Sequence, residues 1–158
     1  MFFSKKSGRL LAPTDGNLLP LSAVADEAFS SGILGVGFAI EPTAGTLYAP
    51  ASGQIESIAE SKHAYTIQTA DGLDLLVHVG IDTVSLHGDG FLPMAREGEV
   101  IRAGEVLARF DPERIRTQGY AATVVVVVTN REQLAGFSLS ESKSTLGGES
   151  VALEYRLK

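Results

Sequence analysis

Apolar and polar residues alternate from Leu73 to Ile81. Leu73, Leu75, Val77, Val79 and Ile81 fall on one side, and Asp74, Leu76, His78 and Gly80 on the other. A period of two predicts a strand whose continuous apolar face points into a core. His78 then faces outward, beside Leu76 and just ahead of a Gly80-Ile81-Asp82-Thr83 turn. Upstream, His63 to Thr69 runs into Ala70-Asp71-Gly72-Leu73, and Asp-Gly is a strong two-residue hairpin signal. With Asp71 and Gly72 as the turn, Ala70 pairs with Leu73, Ile67 with Leu76, Tyr65 with His78 and His63 with Gly80. That register sets His63 diagonal to His78 on one face, ~7–8 Å apart at the backbone. A slip of one residue would send one histidine to the opposite face.

The remaining pattern is also one of short strands and tight turns. Ala12-Pro13-Thr14-Asp15-Gly16 and Ala49-Pro50-Ala51-Ser52-Gly53 repeat one phrase, each followed by an aliphatic residue two places on. Proline presets such a turn and glycine eases its exit, so the repeat predicts internal quasi-symmetry. Ser22 to Ser30 reads as a short helix capped by Ser22, with Asp26 and Glu27 outward. Phe29, Ile33 and Leu34 stand among Gly32, Gly35 and Gly37, either as a core lid or as an exposed docking patch; periodicity alone favours the lid. Arg96 to Leu107 reads as a surface hairpin bounded by glycines. Asp111 caps a short helix that Gly119 closes, Val124 to Val128 is a strand buried on both faces, and Glu149 to Leu157 alternates as a last strand. Long helical periodicity is missing. The expected fold is all-β: an antiparallel β-sandwich or irregular barrel with short helical turns and an internal strand-turn-strand repeat. Residues 1–8 read as a flexible amino-terminal arm and residues 9–158 as a single domain.

Composition narrows the function classes. The 158 residues are 44% hydrophobic, enough for a real core, and contain no cysteine, hence no disulfide, thiolate metal site or cysteine nucleophile. A net charge of −6 argues against nucleic acid as a partner. No apolar run approaches a membrane span, and the start Met1-Phe2-Phe3-Ser4-Lys5-Lys6 turns polar too soon for a signal peptide. A free-standing cytoplasmic subunit, without direct membrane insertion, is expected.

Three groups of residues then carry a family resemblance: Ser61-Lys62-His63-Ala64-Tyr65, Leu76-Val77-His78-Val79-Gly80-Ile81-Asp82-Thr83-Val84 and Gly88-Asp89-Gly90-Phe91. Together they strongly resemble the glucose-type enzyme IIA of the bacterial phosphoenolpyruvate-dependent sugar phosphotransferase system. The likeness extends to both Ala-Pro turns, Asp111 and the end of the valine strand. The resemblance implies a β-sandwich and a phosphohistidine carrier. His78 would accept a phosphoryl group from the histidine-containing phosphocarrier protein and pass it to the IIB domain of a membrane sugar permease. Regulatory binding of other proteins to the unphosphorylated form is implied as well. His63 would bond the phosphoryl group without itself being phosphorylated, and Ser61 stands where the family usually has a threonine supporting that histidine. Gly80 matches the carbonyl that holds the His78 ring, and Asp82 an acidic residue at the edge of the site. Phe29, Ile33, Leu34, Leu76 and Val84 fall at positions of the apolar docking rim, which reverses the preference for a core lid. His87, in a glycine-rich turn, inherits no role.

Such a carrier needs no cofactor beyond the transient phosphohistidine. A zinc ion between His63 and His78, completed by a partner's carboxylate, is the one metal site left open. Two rival classes fit the sequence less well. A biotinyl- or lipoyl-type carrier needs a lysine at an exposed hairpin tip, commonly after methionine, and neither Met1 nor Met94 precedes lysine. A zinc hydrolase normally needs three protein ligands, and no His-x-His pair accompanies the two histidines.

Overall fold

The computed structural model describes residues 7–158. β1 (Ser7–Leu11), β2 (Gly16–Pro20) and β3 (Val36–Pro42) come first, with the short α1 (Glu27–Ser30) before β3. Then follow β4 (Thr46–Tyr48), β5 (Gly53–Ile58), β6 (Ala64–Thr69), β7 (Asp74–Val79), β8 (Phe91–Pro93), β9 (Val100–Ile101) and β10 (Val106–Phe110). α2 (Pro112–Thr117) leads into β11 (Val124–Val128), β12 (Leu134–Leu139), β13 (Ser144–Thr145) and β14 (Val151–Leu157). Every pairing among the described residues is antiparallel. The sheets run β1-β14-β12, β4-β10-β8 and β13-β2-β3-β11-β7-β6-β5-β9. The all-β expectation holds, with open sheets rather than a closed barrel.

The largest sheet is palindromic: β13, β2, β3 and β11 on one half match β9, β5, β6 and β7 on the other. Each Ala-Pro turn carries the chain out of a three-stranded sheet, from β1 or β4, into the large one at β2 or β5. The two turns bond each other reciprocally, Leu11 N–H to the Pro50 carbonyl at 2.8 Å and Tyr48 N–H to the Pro13 carbonyl at 2.7 Å. The repeat therefore organises the whole topology, and β7, the strand of His78, lies beside its centre against β11.

Five consecutive valines make β11, and all five are fully buried. Val124, Val126 and Val128 join Leu75, Val77 and Val79 of β7 in the main core. Val125 and Val127 point the other way, into a second cluster with Leu21, Val24, Phe29, Ala39 and Ile81. Burying each such side chain contributes ~1.5–3 kcal/mol. The His78 face of β7 is thus half covered by the segment around α1, and His78 is half-buried rather than exposed.

Several sequence expectations are corrected. β1 begins at Ser7, so Ser7 and Gly8 pair with Arg156 and Tyr155 instead of belonging to an arm; residues 1–6 of that arm lie outside the described residues. The cap of α1 is Asp26, whose Oδ1 accepts from Ala28 N–H at 2.8 Å, while Leu21–Ala23 forms a separate 3-10 turn. The Arg96–Leu107 hairpin is not formed, because β9 pairs with β5 whereas β10 pairs with β4 and β8. α2 is as expected, with Asp111 Oδ1 accepting from Arg114 N–H at 3.0 Å.

Candidate active site

The β6–β7 register is one residue off the expected one: Ala64 pairs with His78, Tyr65 with Val77 and Ile67 with Leu75. The turn is wider than Asp-Gly alone. Thr69 N–H donates to the Leu73 carbonyl, Leu73 N–H to Thr69 Oγ1, and Asp71 is drawn aside by the Thr69 and Tyr155 hydroxyls, each at 2.5 Å. In a continuous strand this slip would separate the two histidines. His63, however, stands just before β6, after Lys62 in a left-handed conformation (φ 65°). Strand alternation does not govern it there. Its carbonyl accepts from Val79 N–H at 2.7 Å, and its ring meets that of His78 edge-on, centroids 4.8 Å apart at 85°.

The turn leaving β7 fixes the His78 ring. Gly80 (φ 79°) donates its N–H to the Thr123 carbonyl at 2.8 Å, and Ile81 N–H reaches the Ala121 carbonyl at 3.0 Å. Thr83, fully buried, ties back through its hydroxyl to the Val79 carbonyl at 2.6 Å. A Cβ on Gly80 would sit 2.3 Å from Thr83 Cγ2 and 2.9 Å from the Ala121 oxygen, so only glycine fits this conformation. The turn returns the Gly80 carbonyl to 2.7 Å from Nδ1 of His78. A carbonyl can only accept. Nδ1 therefore carries the proton, and Nε2 is left with a free lone pair.

Burial holds His78 in its neutral form. Its pKa is pushed down from 6.5 to about 4, first by desolvation and then by the neighbouring His63, against the opposing pull of the Gly80 carbonyl, Asp26 and Asp82. Desolvation also lowers the pKa of His63. The Ser61 backbone opposes that shift without completing a hydrogen bond, because Nδ1 of His63 is buried without a partner. The Ser61 hydroxyl consequently does not hold Nδ1 of His63 in this structure. The consequence for stability is directional. Unfolded His78 takes up a proton near pH 6.5 and the folded form only near pH 4, so acidification across that window favours unfolding. The loss amounts to at most about 3 kcal/mol for a partly solvated group and levels off below the lower pKa. Urea midpoints at pH 7 and pH 5 should therefore fall less in His78→Gln than in the wild type. Equal falls would contradict the shifted pKa.

Asp82 is exposed and left-handed (φ 60°), at the edge of the site as expected. His87 is an exposed loop residue. Of the rim residues, Ile33 (78% exposed), Val84 (53%) and Leu34 (39%) present apolar surface, whereas Leu76 is half-buried. Phe29 is corrected from the rim to the interior: it is 5% exposed, packs in the second core cluster and meets the His78 ring edge-on at 5.2 Å. Asp26 caps its helix, so α1 docks by inserting this ring. Phe29→Asp should therefore cost ~3–5 kcal/mol of stability, while Ile33→Asp should leave the melting temperature within a few degrees. Thermal melts of the two variants decide between the assignments; a Phe29→Asp protein as stable as the wild type would put Phe29 back on the surface.

Sequence reasoning missed the parts of the site that come from far along the chain. Nothing local marks Ala121 and Thr123 as anchors of the Gly80 turn. Asp26 was seen only as an outward residue. Thr83 alone carried a signal, as a hydroxyl placed four residues after Val79 within the quoted turn. An open surface pocket of about 660 Å³ lies elsewhere, lined by β1, β12 and β14 residues such as Arg9, Phe137 and Arg156. Among the described residues, no group of three or more His, Asp or Glu side chains is placed to hold a metal ion, so His63 and His78 alone would leave one short of protein ligands. No helix among them is long and apolar enough to cross a membrane.

The family model of the phosphoenolpyruvate-dependent sugar phosphotransferase system, EIIA 1, matches residues 8–134. The PTS system glucose-specific EIIA component of Halalkalibacterium halodurans is 37% identical over 149 residues, covering 94% of this chain and 86% of that protein. The PTS system beta-glucoside-specific EIIBCA component of Dickeya chrysanthemi is 44% identical over 127 residues, 80% of this chain but 20% of that protein. The chain thus spans about a fifth of the length of the EIIBCA relatives it matches. Among solved structures, glucose permease IIA from Mycoplasma capricolum is similar at a TM-score of 0.83 and 33% identity, with 98% of this chain and 99% of that one covered.

Proposed function

Since the chain belongs to the EIIA 1 family of the phosphoenolpyruvate-dependent sugar phosphotransferase system, we propose that this phosphotransferase component carries its phosphoryl group on Nε2 of His78. The donor is the histidine-containing phosphocarrier protein, and the acceptor is the IIB domain of a sugar permease. Relatives named EIIBCA and EIICBA join the A part to B and C parts in one chain, which supports IIB as the acceptor. When unphosphorylated, the same apolar face is free to bind regulated proteins.

The observation that carries this reading is the 2.7 Å contact from Nδ1 of His78 to the Gly80 carbonyl. It fixes the tautomer whose Nε2 can attack. The Nε2 lone pair forms a new P–N bond as the donor's P–N bond breaks, and the donor imidazole recovers its electron pair. Phosphoryl transfer asks the protein mainly for position and charge stabilisation. His63, edge-on at the ring, offers an N–H to the phosphoryl oxygens. The second cluster beneath and the apolar Ile33, Leu34 and Val84 exclude water and slow hydrolysis.

Incubation with phosphoenolpyruvate and the two general phosphotransferase proteins should add one phosphoryl group, acid-labile and alkali-stable, by intact mass. No mass gain, or an acid-stable group, would overturn the reading.

A further inference from the structure

A series of hydrogen bonds, linked through the backbones of Thr123 and Gly80, runs from an ion pair on the surface to the ring of His78. Arg116, at the end of α2, binds Glu41 of β3 through Nη2 and Oε2 at 3.0 Å and also donates to the Pro42 carbonyl at 3.0 Å. The other oxygen of Glu41, Oε1, accepts the Thr123 hydroxyl at 2.9 Å. Thr123 is 8% exposed, and its carbonyl takes the Gly80 N–H at 2.8 Å. The Gly80 carbonyl then takes Nδ1–H of His78 at 2.7 Å. Every link has ordinary geometry, and none of Glu41, Thr123 or Arg116 touches the reacting nitrogen.

Resting on the reading that His78 is the nucleophile, we infer that Thr123 and Glu41 are positioning residues, which set the Gly80 turn and through it the tautomer and orientation of the His78 ring. Glu41 has two oxygens and divides them, one to Arg116 and one to Thr123. Arg116 holds the carboxylate in place, and the carboxylate holds the Thr123 side chain. The peptide of Thr123 thereby presents its carbonyl at a fixed height to Gly80. The Gly80 turn has little slack, since this left-handed residue is wedged against Thr83 and Ala121, and the Gly80 and Ile81 N–H groups tie the turn to the Thr123 and Ala121 carbonyls just ahead of β11. If the Thr123 carbonyl shifts by a few tenths of an ångström, the shift passes to the Gly80 carbonyl, and its hold on Nδ1–H weakens. The ring then samples the tautomer with the proton on Nε2, which cannot attack.

The test pairs Thr123→Val, which keeps shape and removes the hydroxyl, with Thr123→Ser, which restores the hydroxyl. Glu41→Ala and the Thr123→Val/Glu41→Ala double variant complete the set. In unphosphorylated, ¹⁵N-histidine-labelled protein, Thr123→Val and Glu41→Ala should move the His78 ring nitrogens toward a tautomer mixture, and Thr123→Ser should not. Both impaired variants should accept phosphate about fivefold more slowly in kcat with KM for the phosphocarrier unchanged, and the double variant should be no slower than either single one. Wild-type nitrogen shifts and rates in Thr123→Val and Glu41→Ala, or equal losses in Thr123→Ser, would overturn the inference. Should Thr123→Val fail to fold, Glu41→Ala carries the test, because that side chain lies only half-buried at the sheet surface. The tautomer is read without any phosphoryl transfer, so a failure of the relay is distinguishable from a failure of His78 as the nucleophile.

Discussion

His78→Ala is expected to accept no phosphoryl group from the phosphocarrier under conditions that fully phosphorylate the wild type. The variant removes the ring that, among the described residues, combines a fixed Nδ1–H, a free Nε2 lone pair and a position at the edge of the apolar surface. His63 cannot substitute for it, since it is 7% exposed with its Nδ1 buried and unpartnered, and nothing fixes its ring as the Gly80 carbonyl fixes that of His78. The expected loss in kcat/KM is at least ~10³-fold, more than ~4 kcal/mol of transition-state stabilisation. The fold should survive, because His78 is only half-buried and its strand is held by β6 and β11 on both sides. Intact mass spectrometry of the folded variant provides the check, and full phosphate retention would remove His78 from the reaction.

The second large effect separates the two histidines. His63→Gln should still be phosphorylated at close to the wild-type rate, because the nucleophile and its Gly80 contact are untouched. Transfer onward to IIB should fall by ~10²-fold, the loss typical of removing one aligned hydrogen-bond donor from a developing oxyanion. The edge-on ring geometry, 4.8 Å and 85°, is what a glutamine side chain cannot reproduce. Single-turnover rates from phosphorylated protein to IIB measure this directly. An unchanged onward rate would reduce His63 to a packing residue.

Much of the scaffold was legible in the sequence, since alternation identifies the buried face of β7 and the unbroken run of five valines the doubly buried β11. The repeated Ala-Pro turns announced an internal symmetry that the palindromic sheet displays in full. Apart from the local shift of the α1 cap to Asp26, the errors come chiefly from contacts between residues distant in sequence. Asp71 of the Asp71-Gly72 turn is engaged by the Tyr155 hydroxyl of the last strand as well as by Thr69. The Arg96–Leu107 segment looks like a hairpin, yet β9 joins β5 in the large sheet and β10 joins β4 and β8 in a three-stranded one. Phe29 was placed on the rim by family position, but the second face of β11 needs an apolar cover and takes that ring. Proximity of His63 to His78 emerged correctly from an incorrect register, because His63 lies outside the regular strand. The identity of the site residues rested on the histidine-centred motif; their geometry, above all the Gly80 turn pinned by Ala121 and Thr123, required the fold.

The proposed carrier role depends on one atom, Nε2 of His78, and one measurement addresses it. Protein labelled with ¹⁵N in its histidines, phosphorylated through the phosphocarrier and examined by ¹⁵N–³¹P correlated NMR, should show a single phosphorus–nitrogen coupling at Nε2 of His78, with Nδ1 still bearing its proton toward Gly80. A coupling at Nδ1 of His78, or at any nitrogen of His63 or His87, would contradict it.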